Sequence, residues 1–90
     1  MCRQFIVSGK VQGVFFRAST RDVANSLNIC GDAVNMPDGT VRVRACGSEE
    51  SIQQLVAWLH QGPPMAAVSG VEEAAAVCTA PDRFTTGRAS

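Results

Sequence analysis

The chain has 90 residues, 46% hydrophobic and 18% charged, which is one small domain of ordinary globular composition. Eight Lys and Arg balance eight Asp and Glu, so the broad basic excess that captures nucleic acid or an anionic membrane is missing. No apolar run approaches the ~20 residues of a transmembrane helix. Met1-Cys2-Arg3-Gln4-Phe5-Ile6 turns polar too soon for a signal peptide. A cytoplasmic protein is expected, with residues 1–90 as a single domain.

Residues 2–8 read as a strand with Phe5 and Val7 on one face. Gly9-Lys10-Val11-Gln12-Gly13 breaks it into a loop. From Phe16, positions 16, 20, 23, 24 and 27 recur at helical spacing and end near Asn28. Cys30 to Met36 is a second extended segment. Pro37-Asp38-Gly39 is a turn, because Pro presets its φ and Gly tolerates a positive one. Thr40 to Cys46 alternates, with Val41, Val43 and Ala45 inward and Arg42 and Arg44 outward, as in a half-buried strand paired with the one before. Ser48 caps a second helix, with Glu49 and Glu50 at its positive end and Ile52, Leu55, Val56 and Leu59 as the apolar stripe. Gly62-Pro63-Pro64 stops it. A fourth strand is expected around Val68 to Val77, against the preference of Ala74-Ala75-Ala76. The tail from Pro81 is weakly patterned.

The order β-α-β-β-α-β predicts an α+β fold, the ferredoxin-like split β-α-β sandwich. It implies an antiparallel sheet of four to five strands with two helices on one face. Strand one then lies between strands three and four, and strand three lies between strands one and two. The loop after strand one and the end of strand two therefore share one edge of the sheet.

The segment Gly9 to Arg17 joins a strand to a helix. Backbone N–H groups in such a loop can form a concave nest for an anion, aided by the unpaired first N–H groups of the helix. Arg17 in the first turn can grip two phosphate oxygens with its fork of donors. The loop is neither a Walker A nor a G-x-G-x-x-G motif. On these residues alone, a tight connection with a solvated Arg17 is the favoured reading.

The stretch Gly9-Lys-Val11-Gln12-Gly13-Val14-Phe-Phe16-Arg17 resembles the signature G-x-V-Q-G-V-x-F-R of the acylphosphatase family at every fixed position. Gly31-Asp32-Ala33-Val34-Asn35, followed by Asp38-Gly39-Thr40-Val41, resembles the second family motif. The likeness runs over roughly residues 2–80. Two departures stand out: Asp32 replaces an aromatic and Val34 a basic residue. Strand alternation puts Asp32 and Asn35 on opposite faces, so the carboxylate is expected to face away from an anion at Asn35. Phe84 to Ser90 lacks the apolar position of the family's last strand, which bears on stability more than on chemistry.

The resemblance implies hydrolysis of the carboxyl–phosphate bond of acyl phosphates, giving a carboxylate and inorganic phosphate. It implies that Arg17 binds the phosphoryl group, that Asn35 orients the attacking water, and that the backbone of Gln12, Gly13, Val14, Phe15 and Phe16 forms the cradle. A carboxylate leaves readily, so no general acid, metal or cofactor is expected. The substrate is a small molecule, and a monomer suffices. Two other readings carry less weight. One is a module that processes carbamoyl phosphate within a larger protein. The other is a non-catalytic ferredoxin-like regulatory or RNA-binding domain, for which one Lys and few aromatics are a poor endowment.

The cysteines at 2, 30, 46 and 78 form no CxxC, and His60 is the only histidine. A zinc site is not expected, and small buried hydrophobes in a reducing compartment are. His60 reads as a surface residue and Trp58 as half-buried packing. If Phe5 faces Val43 and Val7 faces Val41, then Cys2 faces Cys46 within reach of a disulfide. A cytoplasmic location argues against a permanent bond there, and the sequence leaves open whether oxidation forms one.

Overall fold

The computed structural model describes residues 1–75 and 83–88. The elements follow as β1 (Cys2–Lys10), α1 (Phe16–Ser26), β2 (Cys30–Asn35), β3 (Val41–Cys46), α2 (Glu49–Gln61), β4 (Ala67–Ala75) and β5 (Phe84–Arg88). The sheet order is β4-β1-β3-β2-β5. β3 is antiparallel to both β1 and β2, so those two run parallel and end at the same edge. This is the ferredoxin-like arrangement expected from the element order.

Alternation sets the faces. Phe5, Val7, Ala33, Val41, Val43 and Ala45 are fully buried, and the residues between them are half-buried on the opposite, open face. α1 buries Phe16, Thr20 and Ala24, and the Thr20 hydroxyl donates to the Phe16 carbonyl at 2.7 Å, so this buried polar group is satisfied. α2 buries Ile52, Leu55 and Leu59. Ser48 caps it, accepting from the Ser51 N–H at 3.1 Å. The half-buried Trp58 meets Phe16 with ring centroids 5.7 Å apart, tying the helices together, and His60 is exposed. No described helix is long and apolar enough to cross a membrane.

Three expectations need correction. The weakly patterned tail holds a strand, β5, which pairs with β2 in parallel, so the sheet is mixed rather than antiparallel throughout. Phe84, 2% exposed, anchors β5, and the rest of it pairs through the backbone, which leaves no side-chain pattern to read. Second, Cys2, Cys30 and Cys46 are half-buried on the open face rather than core residues, and Cys2 and Cys46 form a disulfide. The register behind it is the expected one, with Phe5 on Val43, Val7 on Val41 and Cys2 on Cys46. Third, β4 starts one residue earlier than expected. It includes Ala74 and Ala75 because pairing with Gln4 and Arg3 outweighs their weak strand preference. Ala76, Val77 and Cys78 lie outside the described residues.

The β1–β4 register shifts between Ser8 and Gly9, a bulge that turns the chain into the loop. Gly9 has φ +117, and a Cβ there would lie 2.1 Å from the Ala67 carbonyl oxygen. Gly9→Ala is expected to cost about 1–3 kcal/mol or more. Thermal unfolding should register this as a drop of at least about 5 °C.

Candidate active site

The loop after β1 builds a cradle from a few strained residues. Gly13 has φ +74, and open space surrounds the position of a Cβ, so backbone conformation alone favours glycine there. Phe15, two residues on, is also left-handed at φ 61, ψ 22, and it is the N-cap of α1. A bulky side chain in that region costs about 1–3 kcal/mol. Left-handed residues at 13 and 15 turn the chain in the manner that gathers N–H groups into an anion nest. Phe15 makes no side-chain cap hydrogen bond, and no acidic residue stands in the first turn of α1. The leading N–H groups of the helix thus keep their partial positive charge for an outside acceptor.

Beside this end lies a cleft of about 290 Å³. Gly13, Phe15, Phe16 and Arg17 line it, with Val11, Ala18 and, from β5, Thr86. Arg17 is the second residue of α1. Its Nη1 donates to the Gly87 carbonyl of β5 at 2.6 Å. This bond fixes the guanidinium and leaves the rest of its donor fork for an anion. The Gly87 contact had no signal in the sequence, because a backbone carbonyl has no residue type. It also ties the tail to a residue that lines the cleft.

The other predicted residues stand behind the cleft. Val14 is buried and packs in the core. Gln12 contributes more than backbone: its Nε2 donates to the Met36 carbonyl at 2.8 Å and the Thr40 carbonyl at 2.9 Å. Those carbonyls flank the β2–β3 turn, so one side-chain amide fastens the loop to the end of β2. The turn is braced by Asp38, whose Oδ1 accepts from the Thr40 N–H at 3.0 Å and the Thr40 hydroxyl at 2.6 Å. The hydroxyl bond first, then the backbone bond, holds the Asp38 carboxyl below its usual pKa. Whatever this group adds to stability is therefore full above the ordinary carboxylate range and fades as pH falls through the lowered value.

Asn35, the last residue of β2, lies on the helix-side face and is 5% exposed. Its Oδ1 is buried and finds no hydrogen-bond partner among the described residues. β2 register places Asn35 against Arg88 and Val34 against Gly87. The Arg17 guanidinium thus rests on β5, the strand paired with β2. Asp32 is on the open face and ion-paired with Arg44, whose Nε donates to Oδ1 at 2.9 Å, so its charge is turned from the cleft as expected.

Gln12→Ala should leave the Met36 and Thr40 carbonyls short of a donor and loosen the cradle. About a tenfold fall in kcat/KM for an acyl phosphate is expected, with a loss of about 1–3 kcal/mol in a denaturant melt. Gln12→Glu, of equal size but without the donor, should do no better.

Residues 3–86 match the family model described as acylphosphatase. An acylphosphatase from Xanthomonas euvesicatoria pv. vesicatoria is 48% identical over 84 residues, covering 93% of this chain and 96% of that one. The solved acylphosphatase of Coxiella burnetii superposes with a TM-score of 0.89 at 45% identity, covering 94% of this chain and 90% of that one. For the Bacillus subtilis acylphosphatase the values are 0.83 and 31%, with 96% and 98% covered. The motif-bearing loop, its fold and these relatives agree: the chain belongs to the acylphosphatase family, whose activity is hydrolysis of acyl phosphates.

Proposed function

We propose that Arg17 and the backbone of Gln12 to Phe16 hold the phosphoryl group, and that Asn35 holds the water that attacks it. The observation that carries this reading is the Asn35 Oδ1, buried with no partner among the described residues. An unsatisfied buried acceptor costs about 1–3 kcal/mol. A water donating to it at the sheet edge beside Arg17 satisfies it and is held for in-line attack. Asn cannot take the proton, but positioning alone can be worth several kcal/mol. The phosphate itself accepts the proton as the water attacks.

Charge in phosphoryl transfer spreads over the equatorial oxygens, so catalysis is mostly positioning and electrostatic stabilisation. The Arg17 fork and the uncapped end of α1 aim donors at that charge. The leaving carboxylate is stable as an anion and asks for neither a general acid nor a metal. The loop and the end of β2 come from one chain, which supports a monomer; the reading is completed by residues 1–90 as one domain, a small acyl phosphate as substrate and the cytoplasm as location.

Arg17→Ala should lower kcat/KM for benzoyl phosphate by at least about 10³-fold. Asn35→Ala should lower kcat by about 10²–10³-fold, while competitive inhibition by inorganic phosphate stays within about threefold. Strong turnover in either variant overturns the assignment. Steady-state hydrolysis of benzoyl phosphate should also be unchanged by EDTA.

A further inference from the structure

Three cysteines stand in one row on the open face, at the end of the sheet away from the cradle. Cys46 on β3 is the register partner of Cys2 on β1 and also of Cys30 on β2. The strands lie in the order β1-β3-β2, so Cys46 is the middle member. All three are half-buried and alternate with core-facing neighbours, which puts their side chains on the same face. Cys2 and Cys46 are bridged, with Cα atoms 4.1 Å apart, and Cys30 is a thiol outside that bridge.

Hydrogen bonding fixes the kind of each pair. The Gly47 N–H donates to the Met1 carbonyl at 3.0 Å, which makes the adjacent Cys2–Cys46 pair a non-hydrogen-bonded one. The Met36 N–H donates to the Thr40 carbonyl at 2.9 Å, and alternation along the ladder from there makes Cys30–Cys46 a hydrogen-bonded pair. Such pairs have Cα atoms about 5.5 Å apart, near the commonest span of a disulfide. Either neighbour can therefore bridge to Cys46.

We propose that this row is a thiol–disulfide exchange site in which the bridge passes between Cys2–Cys46 and Cys30–Cys46. Cys30 loses its thiol proton to solvent and its thiolate attacks the Cys46 Sγ. The Cys30–Cys46 bond forms, the Cys46–Cys2 bond breaks, and its electron pair leaves on the Cys2 Sγ, which takes up a proton. No net oxidation occurs and no outside reactant is consumed. Displacement at sulfur needs the entering and leaving groups on opposite sides of the central atom, and the strand order supplies that placement. The exchange trades a tie between β1 and β3 for one between β2 and β3, and it releases a thiol at the first residue of β1.

The site is independent of the catalytic reading and is tested on the intact oxidised chain. After incubation at pH 8, thiols are blocked with N-ethylmaleimide, and the protein is digested unreduced and mapped by mass spectrometry. Trypsin isolates Cys2 in residues 1–3 and Cys30 in residues 22–42, and a glutamate-specific protease separates Cys46 from Cys78. The expected result is both cross-linked pairs, with label shifted in part from Cys30 to Cys2. Label confined to Cys30, with Cys2–Cys46 the only bridge, overturns the proposal. In Cys2→Ser, oxidised glutathione should drive an intramolecular Cys30–Cys46 bridge. Glutathione adducts or linked dimers alone would count against it. Unchanged hydrolysis of benzoyl phosphate confirms that the variant is folded.

Discussion

Two hydrogen bonds from the Gln12 amide hold the cradle to the sheet, and the rest of the site depends on them. The donors of the loop come from the end of β1, and Asn35, the side chain proposed to hold the water, comes from the end of β2. β3 lies between these strands, so topology brings the two ends to one edge but does not fix their separation. Gln12 fixes it by spanning to the carbonyls of Met36 and Thr40. Asp38 braces the same turn through Thr40. A second fastening comes from Arg17, which grips Gly87 on β5, the strand that lies along the other side of β2. Loop, turn and tail thus form one frame around the end of β2.

With this frame, a chain with no net charge would bind the proposed phosphoryl group without a basic field. Attraction over long range is not needed where a few donors are already aimed and their strain is already met. The left-handed Phe15 is part of that cost, with the side chain 80% exposed and little burial to offset it. Such strain persists where surrounding structure over-determines it, and here Val14 and Phe16, both buried, pin the chain on each side.

What the sequence made legible follows from side-chain pattern. Alternation in β1 and β3 fixed their faces and register, including Cys2 against Cys46. The Gly9–Arg17 and Gly31–Val41 segments located the loop and Asn35 by motif. What stayed hidden lies in the backbone or in a polar side chain with several possible uses. β5 has one apolar anchor and pairs by backbone, so Thr85, Thr86 and Gly87 leave no periodicity. Gln12 announces a loop residue, yet its Nε2 does the fastening. The left-handed conformation of Phe15 contradicts its residue type, as happens at sites where conformation serves chemistry.

The two faces and two ends of the sheet keep separate duties. The proposed chemistry occupies the helix-side face at the end where β1 and β2 finish. The cysteine row occupies the open face at the end where they begin. Cys2 and Lys10 are the two ends of β1, nine residues long, which at ~3.3 Å per residue puts more than ~25 Å between them. A bridge moved from Cys2 to Cys30 therefore changes which strands are tied together without moving a group in the cradle. Its thermodynamic effect falls on the unfolded chain: the Cys2–Cys46 link spans 44 residues, and longer loops lose more entropy on closure. The proposed exchange thus bears on how firmly the N-terminal strand is held, while the proposed catalysis rests on Gln12, Arg17 and Asn35 at the other end.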